Sequence, residues 1–118
     1  MNPNQEFIKV ATDFSRTPGA RHPSEGKFSG HAFRTDHLYP KLLKAIRDKF
    51  TLIVDLDGTS GFGTSFLEEA FGGLIRENGV SMQEIKESLQ FVSDEEPSLK
   101  EEIMHYIKEA ELERNKNA

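Results

Sequence analysis

The chain predicts a single α/β domain over residues 1–118, with a mixed sheet of about four strands and helices packed on it. The stretch "FTLIVDL" (50–56) is apolar without alternation. Such a run reads as a central strand covered on both faces, so Ile53 and Val54 are expected to be fully buried. Segments with helical spacing stand on either side of it, and strand-like and helix-like segments alternate along the chain. A length of 118 residues suits one domain, with no internal repeat and no linker.

The elements follow in order. "EFIKVATDF" alternates, with Ile8, Val10 and Phe14 on one side, and reads as a half-buried strand. Residues 15–30 are rich in Gly, Pro and Ser, which predicts a long loop or a hairpin with a short second strand near Ala20–Ser24. Ser29 is a good N-cap for the next helix. Pro40 either kinks that helix or stands in the first turn of a second one, 40–49. After the central strand, Phe66, Leu67, Ala70, Phe71, Leu74 and Ile75 form one broad apolar face of a helix over 66–78. Asn78-Gly79 ends it. Ser81 and Glu84 form a capping box, "LQFVS" (89–93) is a short strand, and Pro97 opens the last helix. Residues 113–118 are expected to fray.

Composition narrows the function classes. No cysteine is present, which removes disulfides, thiol catalysis and Cys-based zinc sites. A net charge of −5 argues against general nucleic-acid binding. No apolar run reaches transmembrane length, and the first residues lack the pattern of a secretory leader, so a cytoplasmic protein is expected.

The stretch "DLDGTSGFGTSF" (55–66) supports three chemical readings. "LIVDLDGT" looks like the first motif of haloacid-dehalogenase-type phosphatases, with Asp55 matching the nucleophile and Asp57 the acid/base. "SDEEP" (93–97) passes for the acidic Mg²⁺ cluster, but the phosphate-holding Ser/Thr and Lys have no strands to sit on. A turn after a central strand explains Asp57-Gly58-Thr59 more simply. "GTSGFGTS" (58–65) fits a phosphate-binding loop except that Thr64 replaces the lysine, which leaves only weak anion binding by backbone N–H groups. Third, Ser65 with Glu68 reads as a capping box.

"VDLDGTSGFGTSFLEEAFGGLIRE", after a strand-loop-helix opening, resembles the STAS-like family of small bacterial proteins, relatives of the STAS domain of anti-sigma factor antagonists. The resemblance implies a non-enzymatic regulatory module that binds a protein partner, a kinase with a histidine-kinase-like ATPase fold or an anti-sigma-like protein. In classical STAS domains a serine at this strand-to-helix junction is phosphorylated, and Ser65 matches it, with Thr64 before it. Gly63 stands where that motif has aspartate, and Phe66 where it has a small glycine. Gly58, Gly61, Phe62 and Gly63 make the surrounding anion or partner loop. A phosphate there adds about −1.5 to −2 charge at a helix N-terminus.

His22, His31 and His37 cluster with Arg16, Arg21, Lys27 and Arg34. They read either as a solvated loop, the commoner case, or as a basic site facing the serine loop. No histidine pair has helical ligand spacing with a companion carboxylate, so neither metal nor cofactor is expected. Phe62 either plugs the core, the commoner case, or stands out as a contact residue. The alternatives to the regulatory module are the Asp55/Asp57 phosphatase and a structural, oligomer-forming subunit.

Overall fold

The computed structural model describes residues 4–116. Strand β1 (Gln5–Lys9) ends well before Phe14, and a single helical turn α1 (Val10–Asp13) follows. The Asp13 carboxylate accepts the Lys9 N–H at 2.8 Å and closes that turn. Local side-chain bonding of a short acid overrides the alternating pattern here.

Helix α2 spans 30–48. It is an α-helix at Gly30–Phe33, a π turn at Arg34–Leu38 and an α-helix again at Tyr39–Asp48. Pro40 therefore interrupts nothing. It has no N–H to give to the preceding turn, and the wider π turn sits just ahead of it. Strand β2 (Thr51–Asp55) leads to helix α3 (64–76), which carries its own π turn at Glu68–Gly72. Helix α4 (Met82–Ser88) has the predicted Ser81–Glu84 capping box, with both bonds at 3.0 Å. Strand β3 (Leu89–Val92) and helix α5 (Ser98–Lys116) complete the chain. Helical backbone thus continues to Lys116, into the segment expected to fray.

The sheet has three strands in the order β1-β2-β3, all parallel, with Ile8 opposite Val54 and Val54 opposite Phe91. This corrects the expected mixed sheet of four. The loop 15–29 forms no strand because its backbone is used elsewhere. The carbonyls of Ala20 and Arg21 accept the Gly30 and His31 amides at 3.0 Å each. The Ser29 hydroxyl accepts the Ala32 amide at 3.1 Å. The loop and its N-cap serine thereby satisfy the orphan donors of α2. Every strand-to-strand connection contains a helix, which makes the neighbours parallel.

Two right-handed crossovers that step in the same direction put their helices on the same face of the sheet. Burial agrees. Ile8, Leu52, Val54 and Leu89 alternate onto one face and are buried, with Phe33, Phe66, Phe71 and Ile103 among the core they join. The other face carries Phe7, 56% exposed, and exposed Gln90. Ile53 lies between these two in register and is buried to 8%. Among the described residues, helices thus bury the central strand on one side only. Among the described residues no helix is long and apolar enough to cross a membrane.

Candidate functional site

The stretch 55–66 lies at the C-terminal end of β2, in the middle of the sheet's C-terminal edge. In open parallel sheets ligands gather at that edge. Asp55 ends the strand and pairs with Lys9 Nζ of β1 at 3.2 Å. Its other oxygen accepts the Asp57 amide at 3.0 Å. The Asp57 carboxylate accepts the amides of Asp94 and Glu95 at 3.1 and 3.0 Å. Glu95 returns the bond, taking the Gly58 amide at 3.2 Å on each oxygen. Asp57 and Glu95 therefore form a reciprocal clasp between the loop after β2 and the loop after β3. With both oxygens occupied by backbone donors, Asp57 holds loops together and is not poised over a substrate proton.

Gly58 and Gly61 have φ of 91° and 130°, a region that favours glycine, and this lets the loop turn sharply towards α3. Three of its amides are already committed. Ser60 N–H meets the Arg16 carbonyl at 2.8 Å, and Gly61 N–H meets Thr59 Oγ1 at 3.3 Å. Gly58 N–H has Glu95. The phosphate-loop reading therefore loses these three donors and keeps the first turn of α3. No side chain caps that turn, and among the described residues no acceptor meets the amides of Thr64, Ser65 and Phe66.

The N-cap of α3 is Gly63 in an extended conformation, and the helix starts at Thr64. This corrects the capping box expected at Ser65. Glu68 cannot reach back because its carboxylate is held by Arg21 and by Arg76, the latter at 2.7 and 3.1 Å. Gly63, Thr64 and Ser65 are exposed. Phe62 is half-buried, its ring 5.8 Å from that of Phe66, so it plugs the core beneath the loop. The hydroxyls of Thr64 and Ser65 thus stand at the start of a helix with free donors and an aromatic floor. A cleft of about 220 Å³ opens beside the loop, floored by Leu56 and Leu99 and rimmed by Thr59, Ser60, Glu95 and Glu96.

The basic cluster does not face the serine loop. Arg21 and Arg34 converge instead on Glu68 and Glu69, further along α3. Arg34, only 2% exposed, donates Nε to the Glu69 carbonyl at 3.1 Å and Nη2 to its carboxylate at 2.7 Å. Its remaining nitrogen reaches Asn78 at 2.9 Å. Arg21 and Arg76 approach the same Glu69 carboxylate at 3.6 Å each. The network joins the loop 15–29 and both π turns. Arg16 meets the site loop through its carbonyl, Lys27 lies over Phe28, and His37 packs on Phe14. Its sequence signal was a charged pair, Glu68-Glu69, inside an apolar helical stretch.

Donor atoms of His22, His31 and Glu69 lie within 4.8 Å of one another. Chain separation hid this grouping from the sequence. A divalent cation there would meet the guanidinium groups of Arg21, Arg34 and Arg76, and His31 Nδ1 already faces Arg34 at 3.4 Å. The charge balance fits an ion-pair network better than a metal centre.

Burial pushes the Glu68 carboxyl up, but hydrogen bonds from Arg76 and Arg21 outweigh it and hold the group below the usual carboxylate range. Its stabilising effect is present above the unfolded value, near 4.5, and is lost as pH falls through the lower folded value. Glu68→Gln is therefore expected to lower the melting temperature at pH 7, with the difference from wild type shrinking below about pH 4. Thermal melts across pH 3–7 check this, and a gap that widens in acid would refute the assignment.

The model of the STAS-like domain of unknown function (DUF4325) matches residues 35–99 of the 118, more than half of the chain. The chain belongs to this STAS-like family. No curated protein and no solved structure was found to match it. The matched segment of the STAS-like domain runs from the π turn of α2 to the start of α5. It therefore includes β2, the site loop, α3 and the Asp57–Glu95 clasp. Arg21 and His22 lie before it, so the ion-pair network extends beyond the matched segment.

Proposed function

We propose that this STAS-like domain is a regulatory protein-binding module that docks its partner over the loop 58–65 and the first turn of α3. A phosphate on Ser65 or Thr64 switches the docking. The partner class is a kinase of histidine-kinase-like ATPase fold or an anti-sigma-like protein. The observation that carries this reading is the exposure of both hydroxyls on a helix start whose amides lack caps. A phosphate at that position gains from the free amides and the helix dipole, so the fold tolerates the modification. The partner meets a surface changed from neutral to anionic.

Substitution separates this role from a structural one. Ser65 caps nothing, so Ser65→Ala is expected to change stability by less than about 0.5 kcal/mol and to leave binding intact. Ser65→Asp is expected to fold normally and to shift affinity for the native partner by about 1–3 kcal/mol. Isothermal titration of the native partner with the wild type and both variants is the test. Equal affinities for all three would remove Ser65 as a switch.

A further inference from the structure

We infer that the cleft beside the site loop takes the side chain of one arginine of the partner protein. This names the chemistry of the partner and rests on the reading of the loop 58–65 as its docking surface. At about 220 Å³ the cleft is smaller than the roughly 300–1,000 Å³ of small-molecule pockets, so it suits a single side chain. Its floor is apolar, made by Leu56 at 2% exposed and Leu99 at 5%. A small inorganic cation gains nothing from such a floor, whereas the aliphatic stem of a long side chain does.

The polar groups of the cleft select the head of that side chain. Six of its amides are spent inside the protein. Those of Leu56, Ser60 and Leu99 meet the carbonyls of Val92, Arg16 and Glu96, and those of Asp57, Gly61 and Glu95 meet side-chain oxygens of Asp55, Thr59 and Asp57. Acceptors remain. Ser93, 2% exposed, lines the cleft and gives its hydroxyl proton to the Glu96 carbonyl at 2.6 Å, which leaves its oxygen free to accept. Among the described residues the Glu96 carboxylate meets no donor, the Glu95 carboxylate meets only the Gly58 amide, and no ion pair reaches either. The neighbouring cation, Lys9, approaches the Asp57 carbonyl at 3.5 Å but is paired with Asp55. Exposed glutamates alone are ordinary surface. Here they rim an apolar floor together with a buried hydroxyl oxygen left to accept. An anion would face two carboxylates, whereas a guanidinium brings five donors in a planar fork to several acceptors at once. Arginine is also among the residues that dominate the energy of protein interfaces.

Titration of the isotopically labelled full chain with acetyl-arginine amide, followed by backbone amide NMR shifts, tests this without the native partner. The expected result is a saturable set of shifts concentrated in residues 56–61 and 93–99. Acetyl-citrulline amide keeps the shape of the probe and removes its charge, and should bind about tenfold more weakly. Glu96→Gln should weaken the arginine probe about tenfold. The Glu96 side chain is exposed and holds nothing, so this variant should melt within a few degrees of wild type. Glu109→Gln, an exposed acid further along α5, should leave the titration unchanged. The Ser65 switch is read separately, through the partner's affinity for Ser65→Asp, so the two can fail independently. Shifts spread evenly over the exposed acids, equal binding of the two probes, equal binding by wild type and Glu96→Gln, or no saturable shift would overturn the inference.

Discussion

Glu69→Ala is expected to be the most damaging single change in the domain, costing about 3–5 kcal/mol, because it leaves a buried guanidinium without its counter-charge. Arg34 is 2% exposed and Glu69 5%, so water cannot replace the lost partner. Two of the Arg34 bonds end on Glu69, one on the side chain and one on the backbone carbonyl. The backbone bond survives the substitution, and the charge imbalance does not. Arg34→Met is expected to cost less, because Arg21 and Arg76 still approach the Glu69 carboxylate at 3.6 Å each. The double variant Arg34→Met/Glu69→Ala should cost clearly less than the sum, since replacing both members of a buried pair by apolar groups avoids the stranded charge. Urea unfolding of the four proteins measures this. Strict additivity would mean that the pair is not coupled.

Gly30→Ala is expected to cost about 3 kcal/mol despite the better helix propensity of alanine. Gly30 opens α2 where it crosses α3. A Cβ there would collide with the Phe66 carbonyl oxygen and press on Glu69 Cβ at 3.1 Å and on Ala70 N at 3.2 Å. The obstacle is backbone inside a helix, so it cannot rotate away. The helices must separate, and the aromatic packing of Phe33 on Phe66, at 5.8 Å, loosens with them. Alanine at Gly63 provides the control, because a Cβ there meets nothing within 4 Å. Denaturant midpoints that fall equally for the two variants would contradict the close-approach account.

Local signals in the sequence located most elements, because those elements are decided locally. The apolar run gave β2, Ser29 and the Ser81–Glu84 box marked two helix starts, and Pro97 marked a third. What failed was decided at a distance. Residues 15–29 hold enough turn residues for a hairpin, yet Ala20 and Arg21 spend their carbonyls on the start of α2. No local pattern shows that. Glu68 three residues after Ser65 fits a capping box, but two arginines distant in sequence or two turns along the helix outcompete a backbone amide for its carboxylate. Ile53 and Val54 were both rightly expected in the interior. The apolar run could not reveal that only one sheet face has helices over it, because flanking strands bury Ile53 nearly as well. The loop between β2 and α3 was legible as a loop before a helix, since glycines, hydroxyls and an apolar helical face in one stretch require no tertiary knowledge.

The switch at the start of α3 is tested most directly by the chemical state of that turn. The protein isolated from the cells that make it, both free and bound to its partner, should be analysed by mass spectrometry of the peptide containing residues 58–76. The account predicts a phosphate on Ser65 or Thr64 in one of the two pools and an unmodified peptide in the other. Finding both hydroxyls unmodified in the free and the bound protein alike would contradict it.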